Sequence, residues 1–326
     1  MLIRRLIIRL RIALTILFAL GMIAVIGGLF YLNSTGLNHE IRKHISSELE
    51  QRGIYVEFDS LKYQFSDGLV AKNVRFYGDA ERVTKLASLP EVSINLDKTK
   101  LLRGISKINS LSLTAADIEL PLNPKDPNAA RVKFSNINGN IEFPEAGTIS
   151  TNKLTAEYLG IDITLAGNLW QELNRPTAKF SPEAARKRAE VYQSFLDYLD
   201  RWKWDAANPP DLRLFVEGDI NSPEKIKVEF DLIAPELDYK GYSLQKVQMI
   251  GDFSHNLLTV DSLYFKNKDQ EAHVEMDYDF TISDGRFHVD SNIQVQKFVR
   301  KFFKRELFKG FNINGGSEIN VKGYFK

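Results

Sequence analysis

Apolar residues recur at every second position through most of the chain after residue 54, and no other feature constrains the fold as strongly. A period of two is that of a strand with one buried and one solvated face. Ile54, Val56 and Phe58 alternate with Tyr55, Glu57 and Asp59. Gly68 opens a run from Leu69 to Tyr77 with Val74 and Phe76 on one face. Val92, Ile94 and Leu96 follow, then a turn over 98–104, then Leu111 with Leu113 and Ile118 with Leu120. A Pro-rich loop, 121–127, precedes Ile137, Ile141 and Phe143. Leu159-Gly160 reads as a hairpin turn between Leu154, Ala156, Tyr158 and Ile161, Ile163, Leu165. The pattern is cleanest further on, where Leu212, Leu214 and Val216 oppose Arg213 and Glu217, and where Ile226, Val228, Phe230 and Leu232, then Val274 through Ile282, alternate with polar and mostly charged residues. Asp284-Gly285 is a second hairpin signal, and a last strand is expected over Glu318–Phe325.

A helical period replaces this alternation in three places. Leu37, Ile41, Ile45 and Leu49 are four apart in Leu37–Arg52, and Gly53 is a natural stop. Ser181 caps a second helix with Pro182 at its first position, and an amphipathic stripe from Ala185 to Trp202 carries it to Trp202 or Lys203. Gln296–Phe308 reads as a third, short helix.

About fourteen or fifteen strands joined by short turns favour antiparallel neighbours. The few helices cannot cover an apolar face of that size. The sheet therefore folds over a second sheet as a sandwich, closes into a barrel, or stays open with something other than protein on its apolar face. The sequence leaves sandwich and open trough as alternatives.

Ile12–Leu32 holds twenty-one residues without a charge. As a helix it spans roughly 31 Å, the thickness of a bilayer's hydrocarbon core. Arg4, Arg5, Arg9 and Arg11 precede it, and the next Lys or Arg is Arg42. That asymmetry places residues 1–11 in the cytoplasm and the remainder across the membrane. A cleaved signal peptide is the alternative, but the apolar run is longer than usual and passes Phe30-Tyr31-Leu32 without a convincing cleavage site. An N-terminal spanning helix is incompatible with an outer-membrane barrel. The chain has no cysteine, which points to a bacterial periplasm over a disulfide-rich extracellular space. A net charge of +1 argues against a nucleic-acid surface.

The first ~120 residues follow an order that is specific. After the basic tip and the anchor comes an amphipathic helix ending in Leu49-Glu50-Gln51-Arg52-Gly53-Ile54-Tyr55-Val56. Gly68-Leu69-Val70-Ala71-Lys72-Asn73-Val74-Arg75 follows, then Leu86-Ala87-Ser88-Leu89-Pro90-Glu91-Val92, then Leu101-Leu102-Arg103-Gly104 before Ile108-Asn109-Ser110-Leu111. This order resembles the start of the AsmA family. The resemblance implies a single-pass inner-membrane protein with its bulk in the periplasm, a chorein-like start, and a long, twisted, mainly antiparallel sheet forming an open U-shaped groove that binds or guides phospholipid acyl chains in outer-membrane biogenesis. It implies a tip over 1–11, an anchor over 12–32, a chorein-like segment over 33–120, and continuing groove over 121–326 with a helix inserted at about 181–204. Bridge-forming members are much longer, so this chain is read either as a piece of a longer protein or as a short member that anchors or hands over lipid.

The groove-lining candidates are Val56, Phe58, Val74, Phe76, Val92, Ile94, Leu111, Leu113, Leu214, Val228 and Phe230. The same residues would serve equally as the core of a structural or interaction protein of the envelope, whose partners would be other proteins. Lys301 and Lys304 interleave with Phe298, Phe302 and Phe303, so this helix would lie at an anionic membrane surface or cap the core. No catalytic, cofactor or metal motif is recognised. The five histidines are scattered, and Glu275, Asp277 and Asp279 read as a solvated strand face.

Overall fold

The computed structural model describes residues 39–51, 54–64, 68–78, 80–83, 85–97, 107–121, 131–145, 147–170, 182–219, 222, 225–239, 241–292 and 319–325. The 12–32 anchor, the Gly53 stop, the 98–104 turn, most of the Pro-rich loop and the Gln296–Phe308 helix fall outside these. Among the described residues no helix is long and apolar enough to cross a membrane. Strands dominate, with eighteen strands and two helices described.

The chain divides into two compact units, Met1–Ser112 and Leu113–Lys326. In the first, helix α1 (His39–Glu50) is followed by β1 (Tyr55–Glu57), β2 (Ser60–Gln64), β3 (Gly68–Tyr77) and β4 (Lys85–Leu96), and β5 (Ile108–Pro121) begins there. The Ile54 amide donates to the Leu49 carbonyl at 3.0 Å, a six-residue closure of the kind that ends helices. Ile45 and Leu49 are buried beside Val56, Val74 and Leu89, so α1 covers the apolar face of these strands. The Ser46 hydroxyl donates to the Val56 carbonyl, and Glu48 accepts from the Ile108 amide, which fix the helix to the sheet.

The second unit continues with β6 (Arg131–Glu142), β7 (Thr148–Tyr158), β8 (Ile161–Trp170), helix α2 (Pro182–Leu199), β9 (Trp202–Lys203), β10 (Asp211–Asp219) and β11 (Lys227–Ala234). It ends with β12 (Leu237–Tyr239), β13 (Tyr242–Leu244), β14 (Lys246–Ser254), β15 (Leu257–Asn267), β16 (Gln270–Asp279), β17 (Asp284–Ser291) and β18 (Ile319–Phe325). By hydrogen bonding the strands form one open, 15-stranded mixed sheet in the order β1-β3-β4-β5-β6-β7-β8-β10-β11-β14-β15-β16-β17-β18, with β2 also on β3. A separate three-stranded sheet runs β13-β12-β9. The described pairings are antiparallel except β8 with β10. The reason is the excursion through α2, long enough to bring the chain back in the same direction.

Several local expectations change. The Leu111 and Ile118 segments are one strand, β5, in which Ala115 takes φ 46° and the buried positions pass from Leu111 and Leu113 to Ala116. Asn73 (φ 52°) interrupts β3 in the left-handed conformation, with Leu69, Val70 and Ala71 all buried before it and Val74 after it. Helix α2 stops at Leu199, because Trp202 and Lys203 pair with Tyr239 and Asp238 in the small sheet. The hairpin turn after β16 spans Phe280–Ser283, so Phe280 and Ile282 are exposed turn residues and Asp284 already pairs with Asp279. Leu159 (φ 52°) and Gly160 (φ 74°) form the expected turn between β7 and β8, both in the left-handed conformation that a tight hairpin needs.

Candidate functional site

The register across the second unit places one set of alternate residues on one face of β7, β8, β10, β11, β14, β15, β16 and β17. Leu212, Leu214 and Val216 lie opposite Leu232, Phe230 and Val228 on one side and beside Ile163, Leu165 and Gly167 on the other. Leu232 and Phe230 lie opposite Met249 and Gly251, which lead to Leu263 and Val260, then to Val274 and Met276, then to Val289 and Phe287. Across eight strands no paired position on this face carries a charge. Most of its side chains are only half-buried among the described residues.

The opposite face carries Arg213, Glu217, Lys227, Glu229, Asp231, Asp252, His273, Glu275, Asp277, Arg286, His288 and Asp290. Phe215 and Ile250 interrupt it as exposed apolar residues. Lys227 pairs with Glu229 at 2.6 Å and Arg286 with Asp277 at 2.9 Å. His288 lies 3.5 Å from Glu275 and 3.3 Å from Asp290. Among the described residues no group of three or more such side chains could hold a metal ion. The contrast between the faces follows from the alternation itself, since each strand sends successive side chains to opposite sides.

Two devices let the apolar face continue without interruption. Phe230 lies over Gly251 and Phe287 over Gly323, where a Cβ would stand 2.8 and 2.5 Å from the ring. A bulge in β15 between Val260 and Leu263 absorbs the extra residue Asp261 against both β14 and β16, and so keeps the apolar positions of β15 on one side while β14 alternates without interruption.

At one margin this face runs under a lid made of α2, β9, β12 and β13. Rings of Tyr198, Trp202 and Tyr239 pack together, with Trp202 and Tyr239 centroids 4.8 Å apart. The Trp204 indole donates to the Gly160 carbonyl at 3.0 Å, and the Tyr158 and Tyr192 hydroxyls bond at 2.8 Å. Burial, reinforced by that Tyr192 contact, pushes the Tyr158 hydroxyl's pKa well up. Between lid and sheet is a cavity of about 420 Å³ lined by Leu199, Trp202, Trp204, Leu232, Met249 and Leu263, among others. That volume is in the range of small-molecule sites.

The eleven groove candidates separate into two groups. Val56, Val74, Val92, Ile94 and Leu111 are buried in the first unit, where α1 packs, and Phe58 and Phe76 are half-buried there. Leu113, in the second unit, is buried. Leu214, Val228 and Phe230 stand together, half-buried, on the continuous face of the second unit. Phe298, Lys301, Phe302, Phe303 and Lys304 lie outside the described residues. Sequence reasoning missed the lid. Its one signal in sequence is the strand-like alternation of Trp202-Lys203-Trp204, which overlaps the end of the helix stripe.

No protein-family profile, curated protein or solved structure matches the chain.

Proposed function

We propose that this chain is a single-pass protein of the bacterial inner membrane, held by residues 12–32, whose periplasmic sheet carries phospholipid acyl chains on its uncharged face. It performs no catalysis and contributes to outer-membrane biogenesis as an AsmA-like groove protein. The observation that carries this reading is the uncharged, half-buried face that runs through eight strands of the second unit. Apolar surface left in water costs roughly 25 cal/mol per Å². Soluble proteins rarely leave more than a few hundred Å² of it contiguous. Hydrocarbon suits such a surface because the face offers few hydrogen-bonding groups, so a ligand with polar atoms along its length would lose its hydration without replacement. The first unit favours the other reading, a closed protein core, since α1 already covers its apolar strands.

Phe230→Glu tests this. On an open face the carboxylate keeps contact with water, so the full chain should retain its β circular dichroism while co-purifying phospholipid falls to background. Unfolding would indicate a closed core, where an unpaired carboxylate is prohibitive. Undiminished phospholipid in the variant would also overturn the proposal.

A further inference from the structure

Burial changes in one direction along four neighbouring strands. Phe230 and Leu232 are half-buried, and Ala234, next on the same face, is fully buried. The same step occurs from Met249 to Val247, from Leu263 to Phe265 and from Val274 to Ala272. The buried residues join Leu237, Tyr242 and Leu244 of the lid in one cluster, against which Trp202 and Trp204 pack. The cavity under the lid is therefore continuous with the open face on one side and ends against a packed core on the other. None of its lining side chains is charged. Of its polar atoms, the Trp204 indole N–H is already bonded to Gly160.

A blind, uncharged cavity at the margin of an apolar face suits one part of a lipid. A phosphate or carboxylate placed there would be desolvated with no cation to meet it. The methyl end of an acyl chain loses nothing. We infer that the cavity beneath Trp202 and Trp204 receives the methyl end of one acyl chain, so that each lipid lies with its tail end under the lid and its headgroup away from it. This rests on the lipid reading above and adds an orientation to it. The lid thus sets direction on a face that by itself would let a hydrocarbon chain lie either way.

The chain has three tryptophans, and two of them line this cavity. The third, Trp170, is 41% exposed and lies on the polar face. In a full-length Trp170→Phe protein held in amphipol, tryptophan emission comes from Trp202 and Trp204 only. Two probes are stearic acids spin-labelled beside the methyl end or beside the carboxyl group. The inference expects stronger quenching by the methyl-end label. It also expects Leu199→Phe, which fills the cavity from the lid and leaves the sheet face unchanged, to remove that difference while co-purified phospholipid persists. Equal quenching by both labels, or stronger quenching by the carboxyl-end label, would overturn it. If phospholipid co-purifies and neither label quenches, the orientation falls and the lipid reading stands. If no phospholipid co-purifies and neither label quenches, both fall.

Discussion

Glu57 shows how much one strand residue can organise. Its carboxylate accepts from the Tyr77 hydroxyl at 2.9 Å and pairs with Arg82 at 3.2 Å and Arg75 at 3.7 Å. Tyr77 foremost, then Arg82 and Arg75, hold its pKa below the ordinary glutamate value against the opposing effect of burial. Arg75 at 2.9 Å and Asn73 do the same for Asp59. A carboxylate whose folded pKa is depressed contributes stability that is complete above its unfolded pKa and is lost as pH falls through the folded value. Amide protection of β1 and β3 should therefore hold down to about pH 5 and decline below about pH 4, where ordinary carboxylates begin to protonate. Glu57→Gln should reduce protection at neutral pH and flatten that decline. Hydrogen exchange over residues 55–77, referenced to the unfolded chain at each pH, measures it. Parallel profiles for the two proteins would contradict the network's role. None of this was visible in sequence, where Glu57 reads only as the polar position of an alternating pair.

At the scale of the element, bulges decide how far alternation can be read. In β6, Asn136 takes φ 52°, and its side chain donates to Glu157. The Asn138 side-chain oxygen accepts the Ala115 amide at 2.8 Å, serving the backbone where β5 changes phase. A parity change of this kind looks in sequence like a break between two strands, which is why β5 was expected as two segments. Where strands are regular, as in β10 and β11, the alternating apolar residues and the face they share are legible, whereas the parallel pairing of β10 with β8 is not. Helix α2 was legible at its start, where Ser181-Pro182 signals it, and not at its end, where long-range pairing with Tyr239 outweighs helical period. Gly251 tests the close approach of β14 to the bulge of β15. A Cβ there would lie 2.1 Å from the Thr259 carbonyl and 2.8 Å from the Phe230 ring. Gly251→Val should cost about 1–3 kcal/mol, seen as a lower denaturation midpoint. An unchanged midpoint would mean that β14 and β15 approach less closely.

For the whole molecule, composition and period together account for a mostly β chain, and the strand pairing adds that it is built on one large, open sheet. They do not say which apolar strands are covered by protein, because coverage depends on elements distant in sequence. Helix α1 covers the strands of the first unit, and α2 with the small sheet covers one margin of the second. The remaining face is the basis for the lipid reading, and the period of two makes it directly testable. The photoreactive residue p-benzoylphenylalanine, placed singly in the full chain at Leu212, Leu214 or Val216, should form phospholipid adducts on irradiation in cells. Placed at Arg213, Phe215 or Glu217, on the other face of the same strand, it should form none. Adducts that follow the alternation would establish lipid on the uncharged face. Adducts at neither set, or at both equally, would contradict it.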